Sequence, residues 1–462
     1  MSFAFVYMFA AAASLLVLSN LAFVILRNIK AQFALSQIFM LLLIASLFWA
    51  IGAGANFTVL NLLSFNVFSL YFALILTIGV LLTNVLGYTK DIHFSNFSLL
   101  SSFALVGIYL VAMAHSIVSI FIGIELLSMP TIFAILLSRK VAIEAAVKLF
   151  ILASISIALF AFGMVLVYGA TGSSVLSNSN VLSSLMLIAL GLIVAALGFD
   201  AALFPFNLWV PDVYQGATSY VTALLGGINK KIGFIALLEM LFFVFFSYRP
   251  YFVPILYALA VLTMFYGNLA ALAQRNVKRL LAYSSIAQAG YIAIGLAVAT
   301  IYSLQAASFQ IFAHMLMFIG AMSVIVFMEG RNRHEISDYI GLYKENSLAA
   351  ACFAITLLSL VGTPLTMGFI GKFMLFSSAV YAKMLPLALA GIINSIISVY
   401  YYIKVIGAMY TDRVGAKHAK ISTNVMVVMV ACTALLIVFG IFPNIVIDYA
   451  SSIGNYLLPT TS

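Results

Sequence analysis

Residues 197–216 read LGFDAALFPFNLWVPDVYQG. An apolar run that opens at Leu182 ends here on a carboxylate, Asp200, and five residues later Pro205 denies any helix a backbone donor. An aromatic loop with a second acid, Asp212, follows. In hydrocarbon a charge at mid-helix costs roughly 2.5–3.5 kcal/mol, and every backbone group freed by a break must find a partner inside the protein. The segment therefore reads as a membrane span interrupted beside a polar cavity.

The rest of the chain supports that solvent. Of 462 residues, 65% are hydrophobic and only 7% charged, too little polar surface to cover a soluble globule. Apolar runs repeatedly exceed the roughly 18–20 residues that cross a bilayer. A window of about 19 residues gives fourteen spans, near 3–26, 33–53, 66–88, 98–114, 115–138, 142–170, 182–204, 218–247, 251–274, 279–299, 303–328, 348–380, 385–410 and 423–446. Strands of a membrane barrel would show short alternating segments instead, so the expected fold is an all-α polytopic membrane protein. The first stretch lacks a preceding basic segment and a small-residue cleavage site, and reads as a retained span. Cys352 and Cys432 lie in apolar runs without metal-ligand spacing, so neither a disulfide framework nor a metal site is expected.

Lys and Arg set the orientation. Loops after odd-numbered spans hold Arg27, Lys30, Lys90, Arg139, Lys140, Arg275, Lys278, Arg279, Arg331, Arg333, Lys344, Arg413, Lys417 and Lys420; loops after even spans hold Arg249 and Lys383. Both termini are thus expected outside. The net charge of +9 is mostly this topology signal, and without a basic solvent-exposed domain no nucleic acid is expected as a partner. Lys404 lies near the inner end of its span and can snorkel to the interface.

Other ionisable residues cannot reach an interface. These are Glu125, Lys148, Asp200, Lys230, Lys231, His314 and Lys372. One such charge can be a structural ion pair; several, spread over the fifth to eighth and twelfth spans, suit a proton relay, an ion path or counter-ions better. A lone histidine such as His314 reads first as a hydrogen-bonded packing group and second as a proton carrier. Glu144 stands four residues before Lys148, the spacing of a helical ion pair. Glu239, Asp91 and Asp412 read as interfacial or loop charges.

Proline and glycine add a second break. SLVGTPLTMGFIGKF puts Gly362, Pro364, Gly368 and Gly371 inside the twelfth span, as Pro205 cuts the seventh. Two interrupted spans five apart, in successive five-helix blocks, are the expected trace of an inverted repeat within a single transmembrane domain over 1–462: residues 98–247 and 251–410, with a functional site at each break.

PFNLWVPDVYQGATSYVTALL followed by NKKIGF, then GNLAALAQRNVKRLLAYSSIAQAGYI and GTPLTMGFIGKF, resemble the antiporter-like membrane subunits of respiratory complex I, specifically the N type. The likeness runs from about the fifth span to the thirteenth, and Lys372, where the M type usually has an acid, favours the N type. The resemblance implies a proton path along the membrane midplane, with Glu125, Lys148, Lys230 and Lys372 on the family's acid and lysines, and Lys231, Tyr283, Ser284, Ser285 and His314 as polar groups able to hydrate it. Asp200 departs from the family, whose N type carries a lysine there, so two carboxylates face one another unless a cation, Lys148 or Lys231, intervenes. A lysine in a low-dielectric interior can load or release a proton as a neighbouring charge moves.

No Cys cluster, Rossmann glycine turn or paired haem-type histidines occur in the sequence, so electron transfer is expected on partner subunits, with quinone, iron–sulfur and flavin centres there and no cofactor on this chain. The resemblance implies a membrane subunit of a redox-driven, proton-translocating quinone oxidoreductase in a prokaryotic plasma membrane, among other membrane subunits and lipid. A Mrp-type sodium/proton antiporter component, a membrane-bound hydrogenase subunit and a structural scaffold are the alternatives.

Overall fold

The computed structural model describes residues 2–89, 92–137, 142–177, 182–413 and 418–458. Of the residues named above, Lys90, Asp91, Arg139, Lys140 and Lys417 lie outside them. Two compact units divide the chain: one runs to Ala201 and takes in Ile228–Phe252; the other holds Ala202–Gly227 and Val253–Leu458. The break after Asp200 is thus where the chain leaves the first unit, and it returns just ahead of Lys230.

The first unit opens with α1 (Ser2–Leu26) and α2 (Ile29–Gly52), a short hairpin of β1 (Phe57–Val59) and β2 (Leu63–Phe65), and α3 (Val67–Leu86). The hairpin was not legible as strands, because three-residue strands carry too little alternation to stand out from the apolar background. α4 (Ile92–Ala112), α5 (Ile117–Leu136), α6 (Ile143–Thr171) and α7 (Ser184–Asp200) follow. Polar residues set their ends: Asn66 and Ser69 cap α3 reciprocally, Ser183 caps α7, and Gly172 takes the left-handed conformation that stops α6. After the excursion described below, α10 (Lys230–Glu239) packs against α4 and α7.

In the second unit, α8 (Trp209–Gly216) and α9 (Ser219–Leu224) precede that return. α11 (Arg249–Leu272), whose first residues belong to the first unit, leads to α12 (Val277–Val298), α13 (Ile301–Glu329), the short α14 (Leu342–Glu345), α15 (Ser347–Val361), α16 (Met367–Tyr381), α17 (Leu385–Tyr410), α18 (Thr423–Ile441) and α19 (Asn444–Leu457). α13 is the hub, contacting α9, α12, α15, α16, α18 and α19. Among the described residues twelve helices are long and apolar enough to span a bilayer. With the shorter α7 as the seventh span and α15–α16 as the broken twelfth, they make the expected fourteen. α19 is additional: Val446, Ala450, Ile453 and Leu457 form one buried stripe at helical spacing, and it packs on α13.

Both breaks occur where proline and glycine put them. After α7 the chain turns through Ala202, at φ +58°, and the cis Phe204–Pro205 bond, while the Phe204 amide donates to Thr263 Oγ1 at 2.9 Å. α15 stops at Gly362, at φ +92°, and α16 begins at Met367. Gly362 supplies that left-handed backbone angle, and a Cβ there would come within 3.1 Å of the Cδ of Lys372.

Candidate functional site

The first unit gathers its acids at the end of α7. Glu125 on α5 and Asp200 line one cavity with Ser128, Ser154 and Ser156, and both carboxyl-bearing residues are half-buried. Ser156 Oγ donates to the Ala196 carbonyl at 2.9 Å, tying α6 to the last turn of α7. Lys148 makes an ion pair with Glu144, 3.3 Å away and one helical turn earlier, as the spacing suggested; these side chains are 45% and 82% exposed.

α10 approaches this cavity through Gly233. A Cβ there would stand 2.9 Å from Asp200 Cβ and closer still to its backbone, so only glycine lets the helix lie so near the break. Three residues earlier come Lys230 and Lys231, each 1% exposed. They follow a π-helical turn, Leu225–Asn229, and a second π turn, Met240–Val244, closes the segment. π turns insert a residue into the helical ladder and recur at functional positions, re-aiming the side chains beside them. Asn229 Nδ2, at the first of these turns, donates to Thr131 Oγ1 on α5 at 2.8 Å.

Glu239 corrects a sequence reading. It is 2% exposed at the last position of α10, inside a span and not in a loop, and its Oε2 has no hydrogen-bond partner among the described residues. The window that finds spans averages over such a residue, and only the packing of α10 shows that it faces inward.

In the second unit Lys372, on α16 and 3% exposed, sits against the broken twelfth span. Its Nζ donates to the carbonyls of Leu360 at 2.8 Å and Val361 at 2.9 Å, and to Ser395 Oγ at 3.1 Å, and lies 4.7 Å over the ring of Tyr291. Leu360 and Val361 are the last residues of α15, whose carbonyls the break leaves without helical donors. The interruption thereby supplies negative dipole ends for one buried ammonium. Ser284 on α12 hydrogen-bonds Tyr402, whereas Ser285 turns back to the Ala282 carbonyl at 3.0 Å. Tyr283 lies under Arg279, and His314 is buried on α13 with its ring 5.9 Å from that of Phe318.

The second acid of the opening stretch has a different duty. Asp212 pairs with Arg279 at 2.9 Å, and the same Arg279 Nη1 donates to Gln215 at 2.9 Å. The neighbouring Lys278 is buried: its Nζ bonds the Ala217 carbonyl and Glu329 Oε1, the latter at 3.3 Å, while Glu329 Oε2 accepts from the Ser219 amide at 2.9 Å. The basic pair at the start of α12 thus anchors the segment that re-enters after the seventh-span break. Counting Lys278 as a topology signal missed this, since a loop-charge tally treats all lysines alike. Asp412 is the loop charge expected: hydrogen bonds from Lys344, at 2.7 Å, and Tyr343 hold its carboxyl below the usual carboxylate range.

Comparison with known proteins places this geometry. A family model described as NADH:quinone oxidoreductase/Mrp antiporter, transmembrane, matches residues 114–398. The chain belongs to this family. It is 35% identical to F(420)H(2) dehydrogenase subunit N of Methanosarcina mazei over 88% of each chain, and 34% identical to NADH-quinone oxidoreductase subunit N of Moorella thermoacetica over 85% of this chain and 86% of that one. A chain of respiratory complex I from Thermus thermophilus superposes with a TM-score of 0.85 at 30% identity, over 96% of this chain and 100% of that one. A chain of the Mrp complex from Dietzia sp. has the same fold, with a TM-score of 0.86 at 18% identity over 99% and 96%. Membership makes this antiporter-like chain an integral membrane protein, as its apolar helices require.

Proposed function

We propose that the chain is the N-type proton-translocating subunit of a complex I type quinone oxidoreductase, moving protons through buried acids and lysines while redox chemistry proceeds on partner subunits. The relatives named above are subunit N of an F(420)H(2) dehydrogenase and subunit N of an NADH-quinone oxidoreductase. The observation that carries the reading is the placement of lysines at helix irregularities in both units: Lys230 and Lys231 beside a π turn, and Lys372 on the carbonyls of a broken span. A buried ammonium is costly, and it persists where moving charge gives it a use.

In this reading Glu125 and Asp200 share the first half-path, with Lys148 at its edge, and Lys230, Lys231 and Lys372 continue it; Tyr283, Ser284, Ser285 and His314 hydrate it. The two half-paths correspond to an inverted repeat over 98–247 and 251–410. Quinone, flavin and iron–sulfur centres belong to partners, and both termini face outside in a prokaryotic plasma membrane.

Two carboxyls around one small cavity repel when both are ionised, so the pair is suited to hold a proton between them. Asp200→Asn, which removes one of the two, is expected to cut protons pumped per quinone reduced by several-fold, less than the roughly hundred-fold that a positioned acid–base group contributes to a rate, because Glu125 remains. Pumping in proteoliposomes at the parent ratio would remove Asp200 from the path. Isolation of the native assembly followed by mass spectrometry tests the function itself. Iron–sulfur and quinone-reducing subunits should co-purify; an assembly without them that exchanges sodium for protons would overturn the reading.

A further inference from the structure

α10 is bracketed by irregular helix. One π turn, Leu225–Asn229, leads into it and another, Met240–Val244, leads out. Between them its first two residues are Lys230 and Lys231 and its last is Glu239, all three at most 2% exposed. The lysines belong to the relay proposed above, and Glu239 does not. One of its oxygens, Oε2, is walled in without a hydrogen-bond partner among the described residues. One helical turn to either side stand Ile235, Ala236, Phe242 and Phe243, all apolar. A carboxylate held in such surroundings is costly, and a neutral side chain of the same size would carry no such cost. An ionisable group retained against that cost in the middle of a span has a use in the traffic of charge.

We propose that Glu239 is a further proton-binding site of the first unit, taking up a proton as Lys230 or Lys231 gives one up. The coupling is electrostatic and needs no bond between the groups. From Lys231 to Glu239 is eight residues, about 12 Å of helix rise. Over that distance, at the effective dielectric of about 20 that suits protein interiors, one unit charge changes a proton-binding constant about ten-fold. The count of charges fits. Glu125 and Asp200, sharing one proton around their cavity, carry a single negative charge between them, and Asp200 lies against α10 at Gly233. Two ammonium groups on α10 then call for a second negative charge, which ionised Glu239 supplies. When an N–H bond of one lysine breaks and its proton leaves along the relay, the unit's interior is left one charge too negative. An O–H bond then forms on Glu239 with a proton drawn from water, and neutrality returns; recharging the lysine drives that proton off again. The π turn beside Glu239 agrees with this use, since such turns recur where a helix carries function.

The inference rests on the proton-translocating reading, and the experiment keeps the two apart. The whole assembled complex is reconstituted in vesicles with Glu239→Gln, Glu239→Asp or Lys372→Ala, measuring protons pumped per quinone reduced beside the amount and melting temperature of intact complex. Infrared difference spectra between oxidised and reduced complex report carboxyl groups that gain or lose a proton. The parent should show a carboxylic acid C=O band that Glu239→Gln abolishes and Glu239→Asp keeps at a shifted frequency. Glu239→Gln should lower the pumping ratio several-fold in complex that still assembles, since glutamine preserves the shape, and Glu239→Asp should retain most of it. If Glu239→Gln fails to assemble, the band shift in Glu239→Asp takes the place of the band loss. A parent ratio in assembled Glu239→Gln, or difference bands that neither Glu239 variant alters, would overturn the inference. If Lys372→Ala pumped normally, the proton-translocating reading would fall and Glu239 with it. An impaired Lys372→Ala beside an unaffected Glu239→Gln would remove Glu239 alone.

Discussion

Complexes carrying Lys372→Met are expected to pump at least about ten-fold fewer protons through this chain, a conservative figure beside the roughly hundred-fold or more that a positioned acid–base group contributes to a rate. Methionine keeps an unbranched stem in the space beside Gly362 but removes the ammonium, so packing changes little while the charge is lost. Lys372→Arg should not restore pumping: a guanidinium stays charged at every working pH and cannot release its proton. If Lys372 served only to cap the freed carbonyls of Leu360 and Val361, arginine would largely replace it and methionine would lower the melting temperature with the pumping ratio intact. The ratio in proteoliposomes, measured beside thermal unfolding, decides between these.

The largest stability effect is expected away from the relay, at Lys278. Its ammonium and the Glu329 carboxylate are 4% and 9% exposed, and the carboxylate also accepts from the Ser219 amide. Lys278→Met leaves that carboxylate buried without its counter-charge, a change that costs about 3–5 kcal/mol when one member of a buried pair is removed. Adding Glu329→Gln removes the orphaned charge yet keeps an acceptor for Ser219, and should recover most of the loss. Thermal unfolding of the two single variants and the double in detergent gives the coupling directly. Additive losses would show that the pair contributes nothing as a pair.

The sequence carried the architecture because a bilayer leaves few choices. Fourteen apolar runs become helices, and Pro205, Gly362 and Pro364 interrupt two of them where the pattern says they must. It carried Lys372 as well, since a lysine four residues past a glycine in an interrupted apolar span has no interface to reach. Facing was less legible. Lys278 sits at the start of an apolar run and Glu239 within one, and a hydropathy average cannot separate a side chain turned to water from one turned inward. Their burial depends on α10 lying against α7 and on the re-entrant segment lying over the start of α12, contacts made by residues far apart in the chain.

Lys230 and Lys231 give the most direct test of the central claim, that buried lysines carry the protons. Either could substitute for its neighbour, so the measurement is the proton-to-quinone ratio of reconstituted complex bearing Lys230→Met and Lys231→Met together. The amount and thermal unfolding of intact complex are measured beside it, because removing a buried charge from its partners costs about 3–5 kcal/mol. The account predicts an assembled complex whose pumping ratio falls as far as that of Lys372→Met; an assembled complex that pumps at the parent ratio would contradict it.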